Sequence, residues 1–443
     1  MFKNKKIFIL GLGKSGFAAA KLLVNRDNEI VLSDCNVNQD KEVVNELEEL
    51  GVTVILGEQV EGLFNDNFDY LVINPGVNLN HIYVKYAMKH NIPVVNEVEI
   101  AYNLLPNNIK LIAITGTNGK TTTTTVVYEI LQRANLPVHL TGNIGFPLCD
   151  FIGRVRDDDI VVMEISIQQL RALREFKPDI AVMTNLFPAH LDLVDTYENY
   201  KNYKKMLFMN QTKDQVAILN KDNNDVTEIT SDIKATKKYF SSSKSSDIYL
   251  ENDAIYFKGE KVVDTHDIKI TGRHNYENIM AAIMVVKEFN VDNKIIREVL
   301  KEFAGVEHRI EYVRKINGVE FYNDSKATNI KSTQIALSSF SRPTILLLGG
   351  KERSQDFYEL TEYIKNIKMI ICYGETRDRI KEFADTLKVE CIVVETLEEA
   401  VKVSYQLAEP DDIVLLSPAS ASLDQFKSFE ERGNLFKECV ERL

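Results

Sequence analysis

Leu111-Ile112-Ala113-Ile114-Thr115-Gly116-Thr117-Asn118-Gly119-Lys120-Thr121 runs from an apolar, strand-like segment into a glycine loop, and residues 122–134 continue with helical character. A strand, a glycine turn and a helix in that order aim backbone N–H groups at one point, where they can cradle phosphate oxygens. Lys120 is then placed to reach the β- and γ-phosphates of a nucleoside triphosphate, and the Thr121 hydroxyl to bind Mg²⁺. Gly116, Thr117, Asn118, Gly119, Lys120, Thr121 and Thr122 are therefore the candidate ATP loop. The usual spacing has a further glycine five residues before Gly119, where this chain has Ile114. The strand, loop and helix context carries the reading instead.

Strand-like runs at 160–163, 180–183 and 216–219 extend the same block downstream, each short and rich in β-branched residues. Glu164 ends the first of these runs, and His190 follows the second by way of Asn185. In an open α/β sheet, ligands bind at the carboxyl ends of the strands. Glu164 and His190 are thus candidate metal residues beside the loop. Residues 241–246 form a polar turn, 247–270 read as short alternating strands around Gly259, and 274–289 carry apolar residues at helical spacing.

Upstream, an apolar run at 6–10 leads into Gly11-Leu12-Gly13-Lys14-Ser15-Gly16, a helix over 17–23 and a second strand over 29–33 that ends at Asp34. Glycines at that spacing let the backbone approach a diphosphate, and the acid can meet a sugar hydroxyl or a base edge. NAD, another nucleotide diphosphate and a purely structural turn all fit this motif. Downstream of residue 305, buried-strand runs at 344–348, 369–373, 391–394 and 413–416 describe a third open α/β block. Polar residues cluster there at His308-Arg309, in Asn323-Asp324-Ser325-Lys326-Ala327-Thr328-Asn329, and in Ser417-Pro418-Ala419-Ser420-Ala421-Ser422.

The 443 residues exceed a single ordinary core, and 44% hydrophobic with 27% charged residues is the composition of a folded globular chain. A net charge of −12 argues against a nucleic-acid partner. Five scattered cysteines without a CxxC pair suggest neither a disulfide framework nor a zinc site, and point to a reducing compartment. The lysines and apolar run at the start resemble a signal peptide until Lys14 interrupts them, so residues 6–10 read as a buried strand. No window approaches the roughly 20 apolar residues of a membrane span. A cytoplasmic monomer without membrane contact is the expectation.

Taken together, these motifs resemble those of the Mur ligase family over nearly the whole chain. The resemblance implies three domains: an N-terminal Rossmann-like domain (1–97) for a UDP-linked substrate, a central P-loop ATPase-like parallel sheet with a small antiparallel addition (98–304), and a C-terminal Rossmann-like domain (305–443) for an amino acid. It implies that Gly13, Lys14, Ser15, Asp34, Asn74 and Gly76 hold uridine diphosphate rather than NAD, with Asn143, Ser166 and Gln169 at the muramoyl substrate. Tyr200-Lys201-Asn202-Tyr203-Lys204 is similar to the segment whose lysine becomes carbamylated, which makes Lys204 the candidate over Lys201 and Lys205. Metal would then be held by Thr121, Glu164, His190 and carbamylated Lys204, and ATP also by Asn275, Asn278, Arg309 and Asp324.

Within the family, 323–329 and 417–422 with Asp424, Phe426 and Phe429 are similar to signatures of the member that joins D-glutamate to UDP-N-acetylmuramoyl-L-alanine. Lys326, Thr328, Ser422 and Phe429 would hold D-glutamate, with Lys326 also catalytic beside Lys120. The implied reaction passes through an acyl phosphate, and ATP is expected to bridge the second and third domains, which close on it. An amide ligase of the folate-polyglutamylating type, an NAD-dependent oxidoreductase and a noncatalytic nucleotide-binding descendant are the alternatives. The chain departs from the family pattern at Ile167 and Gln168, at Ala189, at Ser420 where the family has cysteine, and over Lys351-Glu352-Arg353-Ser354.

Overall fold

The computed structural model describes residues 2–443 apart from 58, 145, 190–193, 244 and 354, and the backbone alone of 331. Three sheets follow one another along the chain. The first is wholly parallel, with β1 (Lys6–Leu10), β2 (Glu29–Asp34), β3 (Thr53–Leu56), β4 (Tyr70–Ile73) and β5 (Val94–Val95) in the order β3-β2-β1-β4-β5. The run at 6–10 is its central strand, with Ile7, Phe8 and Ile9 fully buried. That burial on both faces is why the run is continuously apolar rather than alternating.

The second sheet contains β6 (Lys110–Thr115), β7 (Val138–Gly142), β8 (Ile160–Glu164), β9 (Ile180–Met183), β10 (Val216–Asn220), β11 (Thr236–Ser241), β12 (Ile248–Glu251), β13 (Ala254–Phe257) and β14 (Glu260–Asp264). Their order is β14-β13-β12-β11-β10-β9-β6-β8-β7. β12 pairs parallel with β11, and β12, β13 and β14 then pair antiparallel. The small antiparallel addition expected from the sequence is thus present, as strands that continue the edge of the parallel sheet. Ile248 and Ile255 are fully buried and fix which face of that edge turns inward.

The polar turn after β11 folds back on Asp222, whose carboxylate accepts from Ser241 Oγ (2.7 Å), Ser242 N (2.7 Å) and Ser243 Oγ (2.6 Å). These bonds hold its acid below the ordinary range against the opposing effect of burial.

Met1–Glu302 form one compact unit and Phe303–Leu443 another. A single apolar cluster runs through the first two sheets, from Phe2, Ile7 and Leu23 to Met163, Phe176 and Ala235. Each fully buried Leu, Ile or Phe there stabilises the unit by about 1.5–3 kcal/mol relative to exposure. The second unit holds β15 (Glu311–Ile316), β16 (Val319–Asn323), β17 (Thr344–Gly349), β18 (Ile367–Tyr373), β19 (Glu390–Val393) and β20 (Ile413–Leu416), in the order β15-β16-β20-β17-β18-β19. Among its described strands the β15/β16 pair is antiparallel and the others pair in parallel, and apolar clusters cover both faces. Among the described residues, no helix is long and apolar enough to cross a membrane.

Candidate active site

The glycine loop leaves β6 at its carboxyl end and enters the helix Lys120–Arg133, two residues earlier than the apolar pattern alone suggests. Gly119 is its N-cap with φ of 81°, and a Cβ there would stand 2.0 Å from Asn278 Oδ1. Glycine is required on both counts, because the left-handed backbone and the close side chain each exclude a larger residue. The first turn of such a helix offers N–H groups that the helix itself does not use.

Asn185, just beyond β9, braces the loop by accepting from Asn118 N on Oδ1 (2.9 Å) and donating from Nδ2 to Asn118 O (3.1 Å). Its neighbour Thr184 donates from Oγ1 to the same carbonyl at 2.6 Å. Sequence reading passed through Asn185 without giving it a role. The signal available was a polar residue directly after a buried strand, at the sheet edge where ligands bind.

β8 lies between β6 and β7, with Glu164 opposite Ile114 and Gly142. Both its carboxylate oxygens are engaged: Oε2 accepts from Thr121 Oγ1 and Oε1 from Asn143 Nδ2, each at 2.7 Å. Lys120 Nζ donates to Thr117 O at 2.8 Å. Lys204, in the helix Tyr197–Lys205, is 1% exposed and donates to Thr115 Oγ1 (2.9 Å) and Gly116 O (3.0 Å). Burial first, and then the charge of Lys120, pushes its amine well below the ordinary lysine range, while Glu164 opposes the shift.

The neighbouring lysines are elsewhere. Lys201 pairs with Glu198 (2.9 Å) and Lys205 with Asp232 (2.7 Å). Tyr200, not foreseen as a site residue, packs its ring under Lys204 and shares a 3.0 Å hydrogen bond with Thr117 Oγ1. Thr122 is buried in the first helical turn, and Asn278 is buried against Gly119. Asn275 donates to Thr271 O at 2.8 Å in the turn that precedes Asn278. His190 lies outside the described residues, as does Gly145, and Ser354 of the departing loop does too.

In the first sheet the helix starts at Gly13, so Gly13, Lys14 and Ser15 are its first turn. Asp34 accepts from Leu12 N at 2.7 Å and from Asn36 N at 2.8 Å, which ties the end of β2 to the glycine turn. Asn74 follows β4 and accepts from Gly76 N on Oδ1 at 3.2 Å. Ser166 and Gln169 form a capping box that starts the helix Ile167–Leu170, so their side chains serve each other.

In the second unit, Asp324 follows β16 and is buried, accepting from Ser417 Oγ (2.7 Å) and Ile310 N (3.2 Å). Burial pushes its carboxyl up to about 7, against the hydrogen bond from Ser417 and the charge of Arg309. Lys326 Nζ sits 5.7 Å from the centroid of the Phe429 ring, the first residue of the helix Phe429–Glu441. Ser422 is buried and its carbonyl accepts from Phe426 N at 2.9 Å, while Thr328 N donates to Lys326 O at 2.9 Å.

Arg432 belongs to none of the motifs read from the sequence. It is fully buried and donates to Ser325 Oγ (2.9 Å), Ser325 O (2.8 Å) and Ser420 O (3.1 Å), fastening the two polar loops together. An arginine in a charged helix start looks solvated in sequence, and only the fold reveals that it points inward.

Three domain descriptions match along the chain: "Mur ligase MurD-like, N-terminal domain" over 5–96, "Mur ligase middle domain" over 114–286 and "Mur ligase, glutamate ligase domain" over 308–420. The chain is 42% identical over 446 residues to the UDP-N-acetylmuramoylalanine–D-glutamate ligase of Geobacillus sp. (strain WCH70), covering 100% of this chain and 98% of that protein. It belongs to the Mur ligase family.

A second relative of the same description, from Bacillus cereus (strain G9842), is 41% identical with the same coverage. Among solved structures, the UDP-N-acetylmuramate-alanine ligase MurC of Thermotoga maritima shares the fold with a TM-score of 0.61 and 18% identity, over 99% of each chain. The MurF ligase of the same organism, solved with ADP, aligns with a TM-score of 0.59 and 16% identity over 94% of this chain and 95% of that one. Mur ligases couple ATP to amide-bond formation, and this chain is a member of that family. Motif, loop geometry and family thus agree on an ATP-dependent amide ligase.

Proposed function

We infer that this chain joins the amine of D-glutamate to the alanyl carboxylate of UDP-N-acetylmuramoyl-L-alanine, a cytoplasmic step of peptidoglycan precursor synthesis. The observation that carries the reading is the end-to-end likeness, 42% and 41% identity without a missing domain, to relatives described by that reaction. The loop and the Thr121, Glu164, Asn143 contact supply the chemistry it needs.

The γ-phosphoryl group of ATP passes to the alanyl carboxylate and ADP remains. The amine of D-glutamate attacks the acyl phosphate carbon, and the tetrahedral intermediate expels phosphate. Lys120 is proposed to offset the negative charge of the migrating phosphoryl group, with the loop and helix N–H groups orienting its oxygens. Asn278 and Asn275, and on the second unit Arg309 and Asp324, are proposed nucleotide residues. Lys326, Thr328, Ser422 and Phe429 are proposed for D-glutamate. Gly13, Lys14, Ser15, Asp34, Asn74 and Gly76 are proposed for uridine diphosphate, with Asn143, Ser166 and Gln169 toward the muramoyl group.

The donor set fits a hard divalent cation, because a hydroxyl and a carboxylate meet at 2.7 Å beside the phosphate loop. Thr121 and Glu164, together with His190, would hold Mg²⁺, which when bound supplies positive charge to the phosphates. The buried amine of Lys204, held well below the usual lysine range, is proposed to add to CO₂, forming a carbamate and releasing a proton. The product would be an anion beside the loop, where the amine already donates to Gly116 O at 3.0 Å. Lys120, Glu164, His190, Lys204 and Lys326 are the proposed catalytic set.

Incubation of the protein with ATP, Mg²⁺, the muramoyl-alanine nucleotide and a panel of D- and L-amino acids tests this reading by product mass. A D-glutamate adduct with equimolar phosphate is expected, and the absence of any such adduct would refute the assignment.

A further inference from the structure

The helix Ile167–Leu170 ends at Arg171, whose guanidinium reaches out of the central sheet to a loop of the first sheet. Its Nη2 donates to the carbonyl oxygens of Pro75 and Val77, both at 3.2 Å. One nitrogen gathering two carbonyls two residues apart fixes how that loop turns.

The opposite side of the loop rests on the glycine turn after β1. Asn74 N donates to Leu10 O at 2.9 Å and Val77 N to Asn74 O at 2.9 Å. A Cβ added to Gly13 would stand 2.5 Å from Asn74 Nδ2, so the loop and the turn are in van der Waals contact. Residues 74–77 are thus held between the turn and Arg171.

A half-buried guanidinium also places positive charge behind that loop. Burial lowers its pKa, yet an arginine remains charged in such surroundings. The segment Arg171 belongs to leads straight back to the phosphate site. Gln169 O accepts from Asn96 Nδ2, Ser166 and Gln169 cap each other, Ile165 N donates to Ile114 O at 3.0 Å, and Glu164 comes next.

We propose that Arg171 is a positioning residue for the nucleoside-diphosphate end of the substrate: it holds loop 74–77 on the glycine turn and ties that loop to the segment following Glu164. The proposal rests on reading Gly11 to Gly16 as the diphosphate turn. It predicts that Arg171 acts on one substrate and not on ATP, because the ATP loop is braced independently by Asn185 and Lys204.

The test compares wild type with Arg171→Met and Arg171→Lys by three measurements: ligand-free hydrogen exchange over 74–80, equilibrium binding of UDP alone, and the KM values for both substrates. In Arg171→Met, exchange at Val77 accelerates, UDP binding and the KM for the muramoyl nucleotide weaken about tenfold, and the KM for ATP stays within about twofold. Arg171→Lys, which keeps the charge and the donors, recovers most of the loss. Should Arg171→Met not accumulate as folded protein, Arg171→Gln is read in the same assays.

Unchanged exchange at 74–77, equal weakening toward UDP and ATP, or a lysine variant no better than the methionine one each overturns the proposal. A wild-type chain that binds no UDP overturns the diphosphate reading instead. The exchange measurement judges the clamp without any ligand.

Discussion

Thr121 Oγ1 and Glu164 Oε2, 43 residues apart in sequence, meet in a 2.7 Å hydrogen bond at the carboxyl edge of the central sheet. The hydroxyl donates to the acid, so the start of the loop helix and the end of β8 converge on one point beside the glycine loop. Substituting Thr121→Ala removes that donor. Phosphate release should fall on the order of 100-fold or more, as for the loss of one aligned group at a transition state. The loss of stability in urea should be about 1–3 kcal/mol, as for one buried hydrogen bond. A variant with near-normal turnover would show that Thr121 is structural alone.

Lys204 is a buried base whose folded pKa is depressed, so its protonated form is disfavoured in the native state. The sign follows from linkage: the unfolded chain takes up the proton more readily, and burial of this amine costs more as pH falls from the unfolded lysine pKa toward the folded one. Lys204→Met should therefore melt at or above the wild-type temperature at pH 7, with the gain fading as pH approaches the unfolded value of about 10.4. The same variant should show no turnover. Wild-type activity should fall in CO₂-depleted buffer and return with bicarbonate, which steady-state assays in sealed cells would read.

Asp324 carries the opposite sign. Its carboxyl is pushed from 3.8 up to about 7 by burial, so between those values the native chain keeps a proton that the unfolded chain has lost. Its contribution is fully present below the unfolded pKa and declines as pH rises through that window, by up to about 4 kcal/mol. Asp324→Asn, neutral throughout, should flatten this part of the stability profile between pH 4 and 7. Parallel profiles for the two proteins in chemical denaturation would contradict it.

Gly119 combines a left-handed φ with a neighbour 2.0 Å from where a Cβ would be. Gly119→Ala should lose more stability than the about 1–2 kcal/mol that a left-handed backbone costs a non-glycine residue. Adding Asn278→Ala removes the steric part and leaves the backbone part, so the double mutant should be less destabilised than the sum of the two single changes. Thermal unfolding of the four proteins without nucleotide completes the cycle, and strict additivity would mean that Asn278 moves aside freely.

Much of the first and last sheets was legible because strands buried on both faces must be apolar throughout. β1 and β17 read that way directly, with Ile345 to Leu348 fully buried. β3, β7 and the β15/β16 hairpin carried weaker patterns, since Thr53, Glu311 and Arg314 face solvent or the sheet margin. Helix starts at Gly13 and Lys120 were placed late because glycine and lysine interrupt an apolar pattern while their backbone already turns.

The sequence by itself determined the order of strand, glycine loop and helix at both nucleotide-type turns, since those depend on neighbours a few residues apart. It also singled out Lys120 and Thr121 by their place at the end of the glycine loop and Glu164 by its place at a strand end. The family likeness of 200–204 already favoured Lys204 over Lys201 and Lys205, but tertiary structure alone decided that its amine reaches Thr115 across 89 residues of chain, because helical phase sets which lysine turns inward. It alone brought Arg171 to Pro75 across 96 residues and buried Arg432 against Ser325. The reason is common to all three: a long cationic side chain looks the same in sequence whether water or backbone carbonyls surround its head, and only the packing of one element on another removes the water.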